Sequence, residues 1–224
     1  RRQRQMCIRD SNHPYLRNIA KKGAPIVFST GMSTIEEVKK AVEVIEDAGN
    51  SQICLLHCIS IYPPEMNTIH LNNILGLREL FPNYPIGFSD HSIGCQIANA
   101  ATALGAALIE KHLTLDHKKI GMDNQMAMEP EDLKNLVNGC NDVYEAMGSK
   151  ERVVLQAEVE QKAKMRRSVI AARDLKAGQV LTADDLDAKR PGTGISPDRI
   201  DSMIGMTVTR DITADELLKE SDIK

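Results

Sequence analysis

Ile86-Gly87-Phe88-Ser89-Asp90-His91 and Ala107-Leu108-Ile109-Glu110-Lys111-His112 organise this chain. In each string an apolar run ends in a polar triplet closed by histidine. The second histidine follows the first by 21 residues, and the stretch between them is alanine-rich and helix-forming. That spacing fits one strand–helix–strand unit with parallel strands. The two imidazoles would then stand at the same ends of neighbouring strands, where they can hold one divalent metal. Spacing alone leaves a second reading open: two unrelated polar residues at loop mouths.

Outward from these strings a βα rhythm runs in both directions. Pro25 to Ser29, Ile53 to His57, Ile86 to Ser89 and Ala106 to Glu110 read as short buried strands. Helices are expected over 14–21, from Ser33-Thr34-Ile35-Glu36 to Gly49, over 72–81, over 94–104, and from Pro130 to Gly148. The second of these opens on a capping box and sets Ile35, Val38, Val42 and Ile45 on one face. The last sets Leu133, Leu136, Val137, Cys140, Tyr144 and Met147 inward. Strands that are continuous apolar runs mark a parallel sheet covered by helices. Such a sheet is either doubly wound or part of a (β/α)₈ barrel. No Gly-x-Gly-x-x-Gly turn follows a strand, so a dinucleotide fold has no support. In a barrel the reactive residues stand at the C-terminal strand ends. Here those ends are Ser29-Thr30, His57-Cys58-Ile59-Ser60, Ser89-Asp90-His91 and Glu110-Lys111-His112, all polar, which favours the barrel.

The rest of the chain is organised differently. Residues 149–165 are charged and helix-prone and read as a linker. Residues 166–224 have short apolar pairs between turns, as in a small β-rich domain. They hold an internal repeat: Arg173-Asp174-Leu175-x-Ala177-x-x-Val180-Leu181-x-x-x-Asp185-Leu186 returns 37 residues later as Arg210-Asp211-Ile212-x-Ala214-x-x-Leu217-Leu218-x-x-x-Asp222-Ile223. Two copies predict a pseudo-twofold module. The first copy holds a Lys176-Ala177-Gly178 turn and Thr182 as an N-cap. Between the copies lies Lys189-Arg190-Pro191-Gly192-Thr193-Gly194. At the other end, residues 1–11 are basic with no apolar face and read as a non-native leader outside the fold.

Composition narrows the function classes. The 224 residues carry a net charge of −3, with 42% apolar and 26% charged residues. No basic surface argues for nucleic acid or anionic membrane. No apolar run approaches the roughly 20 residues of a membrane span. Five cysteines (Cys7, Cys54, Cys58, Cys95 and Cys140) form no C-x-x-C pair, which predicts reduced, mostly buried thiols and a cytoplasmic protein.

Four strings occur in a fixed order: Ser29-Thr30-Gly31-Met32, His57-Cys58-Ile59-Ser60-Ile61-Tyr62-Pro63, Ser89-Asp90-His91 and Glu110-Lys111-His112-Leu113-Thr114-Leu115-Asp116. The repeat module with Lys189-Arg190-Pro191-Gly192 follows them. From about Asn12 onward the chain thereby resembles the sialic acid synthase family, which makes N-acetylneuraminic, legionaminic and pseudaminic acids. The resemblance implies an α/β fold: the C-terminal half of a (β/α)₈ TIM barrel over 12–148, then a small antifreeze-like (SAF, β-clip) domain over 166–224. It implies condensation of phosphoenolpyruvate with an N-acetylated amino-sugar aldehyde, giving a nonulosonic acid and phosphate. It also implies a domain-swapped homodimer and a divalent metal, Mn²⁺ first, with Mg²⁺ or Co²⁺ as alternatives.

Residue by residue, the resemblance makes His91 and His112 metal ligands and catalytic groups. Ser89, Ser29 and Ser60 become partners for phosphoenolpyruvate, and Tyr62 a wall of the sugar pocket. Asp123, in Gly121-Met122-Asp123 where the family usually carries Gly-Pro-Asp, would hold sugar hydroxyls or trade a proton with the new alkoxide. Arg190 would reach the substrate's N-acetyl group from the second domain. His57 and His117 are weaker third-ligand candidates, the first expected to face the core and the second solvent. The family's first-half carboxylate and lysines have no counterpart here, so the chain is expected to be an incomplete fragment, inactive and prone to aggregate through open sheet edges. Two other functions remain open on the residues alone: a different metal-dependent barrel aldolase or isomerase, and a non-catalytic carbohydrate-binding SAF module.

Overall fold

The computed structural model describes residues 3–5, 12–121 and 123–224. It divides into two compact units, Arg1–Gly148 and Ser149–Lys224. The leader segments outside residues 3–5, with Cys7, and Met122 lie outside the described residues.

The first unit is a curled parallel sheet with helices on one face. Its strands β1 (Gln3–Gln5), β2 (Ile26–Ser29), β3 (Ile53–Cys58), β4 (Ile86–Asp90) and β5 (Ile109–Lys111) lie in chain order. Between them run α1 (His13–Ala20), α2 (Ile35–Asp47), α3 (Asn73–Leu80) and α4 (Gln96–Ala103), and α5 (Pro130–Met147) follows β5. This is the succession of βα units expected for half a barrel. It corrects the reading of the leader in one respect. Gln3–Gln5 pairs in parallel with β2, Gln3 opposite Ile26, so backbone hydrogen bonding recruits a segment that has no apolar pattern.

Local chemistry explains the helix starts. The Asn12 side chain accepts from Tyr15 N at 3.1 Å, and Pro14 occupies the first turn of α1. The capping box of α2 is Thr34 with Glu37, one residue later than expected: Glu37 N donates to Thr34 Oγ1 and Thr34 N to Glu37 Oε2, at 3.3 and 2.8 Å. The shift leaves Ile35 exposed in the first turn, while Val38, Val42 and Ile45 are buried as expected.

Alternation along the strands then sorts residues between two faces. Ile26, Phe28, Ile53, Leu55, Ile86 and Phe88 pack against the helices, among them Leu16, Val38, Ile45, Ile74 and Leu77. Ser29, Leu56, Cys58 and Ser89 occupy the opposite face. Gly87 is needed where β4 squeezes between its neighbours: a Cβ there would meet Leu108 O and Leu56 Cδ2 at 2.5 Å.

The inward face expected for α5 is only partly covered. Leu136 is buried and Leu133 and Cys140 pack beside it, but Val137, Tyr144 and Met147 are exposed. The helix lies against α4, so only a narrow stripe meets Ala98, Met128 and Cys95. Val137 and Tyr144 border a cavity with Ala107, Leu108 and Ile109, on the side of β5 that pairs with no other named strand among the described residues. Among the described residues the thiols are also less buried than expected: Cys58 is fully buried, while Cys54, Cys95 and Cys140 are half-buried.

The second unit takes in the predicted linker. Its helix α6 (Gln156–Met165) is shorter than the helix-prone stretch and ties to the loop that follows the hairpin, through Gly192 N to Ala163 O at 2.9 Å. β6 (Ser168–Ala171) and β7 (Leu186–Lys189) form an antiparallel pair, and α7 (Ile200–Met203) is a single turn. The repeat folds as the expected pseudo-twofold. Leu175 and Ile212 bridge each other, Ala177 N donates to Asp211 Oδ1, and Ala214 N donates to Asp174 Oδ1. Arg173 pairs with buried Asp185 and Arg210 with buried Asp222. The Lys176–Gly178 turn closes through Gln179 N to Lys176 O. Gly178 has φ 87°, and Asp215 has φ 68° at the matching place in the second copy. Thr182 proves to be the donor rather than the acceptor of its cap: its N and Oγ1 both donate to Asp185 Oδ2, at 2.8 and 2.7 Å.

Candidate functional site

The C-terminal ends of β3, β4 and β5 meet in one polar cluster. Parallel register sets Cys58 opposite Ser89 and Ser89 opposite Glu110, all on the face turned away from the helices. Ser89 Oγ donates to Glu110 Oε1 at 2.9 Å. One step further along each chain come His91 and His112, whose ring centroids stand 5.2 Å apart. Tyr62 arrives from the loop after β3. Its ring lies 4.1 Å from that of His91 and 5.7 Å, edge-on, from that of His112.

Hydrogen bonding fixes one ring nitrogen of His91. Its Nδ1 lies 2.8 Å from the carbonyl oxygen of Ile59. A carbonyl oxygen only accepts, so Nδ1 carries a proton, which leaves Nε2 as the nitrogen able to offer a lone pair. Cys58 Sγ lies 4.0 Å from the same Nδ1 and 3.8 Å from Ser60 Oγ. His112 Nδ1 faces Asp123 Oδ2 at 3.7 Å, and its Nε2 is buried. Asp123 is brought there because the loop after β5 doubles back. Met128 N donates to His112 O and Thr114 N to Met128 O, both at 2.9 Å.

Two imidazoles bound to one ion through Nε2 hold their centroids roughly 5 Å apart, and the pair here matches that spacing at 5.2 Å. Neutral imidazole with its far nitrogen held by a carbonyl or carboxylate is the usual form of a histidine ligand. The donor set therefore fits a divalent ion. No group of three or more His, Cys, Asp or Glu among the described residues is arranged to complete the shell. Further ligands would have to be water or substrate oxygens, as in an open catalytic site.

The weaker histidine candidates are placed elsewhere. His57 Nε2 donates to Ile69 O at 2.6 Å and the ring stacks on Phe88, so it belongs to the helix side of the sheet. Burial pushes this imidazole below its ordinary value, against the opposite pull of the Ile69 bond. His117 Nδ1 pairs with Glu129 at 3.2 Å near the surface. Ser29 is buried at the end of β2, opposite Leu56, on the same sheet face as Ser89. Arg190 is carried by the second unit, where its Nε donates to Met165 O at 3.1 Å.

Three participants had no role in the sequence reading: Glu110, the Ile59 carbonyl and the ion pair Asp90–Lys111. The first and the last were open to it. The 21-residue offset that pairs His91 with His112 also pairs Ser89 with Glu110 and Asp90 with Lys111. Nothing in the sequence marks a backbone carbonyl.

Comparison with known proteins identifies the family. The NeuB family model matches residues 8–152, and the SAF domain model matches residues 166–224. The chain is 36% identical to N,N'-diacetyllegionaminic acid synthase of Campylobacter jejuni, covering 94% of this chain and 63% of that protein. It is 35% identical to human N-acetylneuraminate-9-phosphate synthase, covering 94% and 58%. The crystal structure of an N-acetylneuraminic acid synthetase from Leptospira borgpetersenii superposes with a TM-score of 0.65 at 30% identity, over 70% of this chain and 55% of that one. The chain spans about three fifths of the length of the curated relatives it matches.

Proposed function

The chain belongs to the NeuB family and carries a SAF domain, and from that premise we propose that it supplies the metal-holding part of a nonulosonic acid synthase. The reaction is the condensation of phosphoenolpyruvate with an N-acetylated amino-sugar aldehyde. The enol carbon attacks the aldehyde, water adds to the resulting cationic carbon, and phosphate leaves. The observation that carries this reading is the His91–His112 pair, 5.2 Å apart at the ends of adjacent strands.

His91 and His112 would hold Mn²⁺ or a similar divalent ion through Nε2. The ion would supply Lewis-acid polarisation of the aldehyde carbonyl. The other roles fall to side chains. Ser89 would turn its hydroxyl proton from Glu110 to phosphoenolpyruvate, and Ser29 and Ser60 lie at neighbouring strand ends for its phosphate or carboxylate. Tyr62 walls the pocket and limits how the sugar approaches the histidines. Asp123 accepts sugar hydroxyls, or returns a proton to the alkoxide formed on the former aldehyde oxygen. Arg190, delivered by the SAF domain of a partner copy in a homodimer, would recognise the N-acetyl group. We place the reaction in the cytoplasm. No helix among the described residues is long and apolar enough to cross a membrane.

Titration with Mn²⁺ tests the site directly. The chain should bind the ion, and His91→Ala and His112→Ala should each abolish that binding. Equal binding by parent and variants removes the reading. Phosphate release from phosphoenolpyruvate, measured against a panel of amino sugars, tests the chemistry.

A further inference from the structure

Asp90 and Lys111 are the members of the two strand-end strings for which the proposed reaction has no task, yet among the described residues of the first unit they form the most deeply buried ion pair. Their side chains are 1% and 3% exposed. Lys111 Nζ donates to Asp90 Oδ2 at 2.7 Å and to the Ser92 carbonyl at 2.5 Å, and Ser92 N donates to Asp90 Oδ1 at 2.7 Å. Asp90 stands directly opposite Lys111 in the parallel register.

We propose that this ion pair is the positioning element of the His91–His112 pair, setting the separation of the two histidine backbones from the opposite face of the sheet. The inference rests on the reading of these histidines as metal ligands. Alternation puts Ser89 and Glu110 on one face of β4 and β5, and Asp90 and Lys111 on the other. The clamp therefore sits behind the site and takes none of its volume. It brackets His91 on both sides: Asp90 is the residue before, and Ser92, held through both its N–H and its carbonyl, is the residue after. It fixes His112 from its N-terminal side, while Met128 N on the His112 carbonyl fixes the other.

Stability alone does not account for such a pair. Buried ion pairs are often matched by apolar residues of similar volume, because desolvation offsets the Coulomb gain. What the charges add is register. A slip of one residue between β4 and β5 would set each charge against a polar or aromatic neighbour and leave it buried and unpaired. The only register that satisfies Asp90 and Lys111 is the one that aligns His91 with His112.

The test uses the full chain, the variant Lys111→Met and the double variant Asp90→Asn/Lys111→Met. The double variant removes both charges and keeps an oxygen for Ser92 N, so it should fold even where the single variant, with a lone buried carboxylate, does not. Three readouts apply: the Mn²⁺ dissociation constant from electron paramagnetic resonance, the imidazole ¹⁵N shifts of metal-free His91, and cooperative thermal unfolding. The double variant is expected to unfold cooperatively, to bind Mn²⁺ about 10- to 100-fold more weakly, as loss of an outer-shell support does, and to show His91 in mixed tautomers. A folded double variant with parental affinity and a single Nδ1–H tautomer overturns the proposal. So does a double variant that cannot fold, since the pair would then serve the fold itself. Should the parent bind Mn²⁺ no better than His91→Ala, the metal reading fails. The tautomer of metal-free His91 then still decides whether the clamp holds the ring.

Discussion

Among the described residues of the first unit the buried charge is gathered at one place, the paired ends of β4 and β5. In the second it occurs twice, at Asp185 and again at Asp222. The first arrangement serves a site: Asp90 and Lys111 satisfy each other behind a polar cluster, with no second copy of the pair among the described residues. The second arrangement serves a fold that has little regular structure. Asp185 accepts from Arg173, Gln179 and Thr182, and Asp222 accepts from Arg210 and Lys219. These bonds stand in for the ladders that two short strands and one helical turn do not supply. The contrast teaches that a buried carboxylate marks chemistry when it is single and asymmetric, and architecture when it is repeated by symmetry.

The largest effect that can break this contrast is expected at the histidines. Removing either imidazole should lower Mn²⁺ affinity more than roughly 100-fold, beyond what an outer-shell loss causes, with cooperative unfolding preserved. Calorimetric titration and thermal melts on the same samples check it. An affinity loss of only a few fold would mean that the first unit distributes its function as the second distributes its stability.

Next in size is the symmetry of the repeat. Asp185→Ala and Asp222→Ala should each destabilise the chain by about 2 kcal/mol. Several hydrogen bonds to a charged group are lost, while Arg173 and Arg210 remain partly open to water. Urea unfolding of both variants sharpens the comparison, since near-equal losses are expected and a large inequality would show that the two copies are not equivalent.

Acid provides a smaller, graded version of the same test. At Asp185 burial works against ionisation but is outweighed by the bonds from Thr182 and Arg173; at Asp222 the Arg210 bonds lead. Both carboxyls are thus held below their ordinary value of 3.8. A group depressed in the folded state is protonated more readily in the unfolded chain. Its contribution is complete above about pH 5 and is lost as pH falls through 3.8 and below. Urea midpoints measured from pH 6 down to pH 2.5 should fall more steeply for the parent than for Asp185→Ala/Asp222→Ala.

The smallest effect concerns the turn shared by both copies. Gly178 tolerates its positive φ freely, whereas Asp215 adopts a similar one with a side chain and an ion pair to Lys189. Gly178→Ala should cost about 1 kcal/mol from backbone strain alone, since nothing lies within 4 Å of the added Cβ. Asp215→Gly should change stability by less than about 0.5 kcal/mol, relief of strain offsetting an exposed pair. Thermal melts of the two variants read the difference.

What the sequence made legible follows from which signals are local. The βα rhythm, the caps and the repeat are local, and the structure reproduces them to within a few residues. The meeting of His91 and His112 is long-range, yet it was readable because one strand–helix–strand unit converts a fixed spacing into adjacency. β1 was not readable, because an edge strand paired through its backbone needs no apolar alternation. The exposed side of α5 was not readable either: periodicity tells which residues share a face, and says nothing of what covers it. Tyr62 reaches the histidines along an irregular loop, whose path no residue pattern encodes.

The backbone bonds of Met128 to His112 and Thr114 zip shut the mouth of the excursion between them. Of the intervening stretch, Leu115 and Ile120 are exposed, while Asp123 turns back toward the His112 imidazole. The excursion's length and lettering can change beyond that closure while the strand beneath stays put.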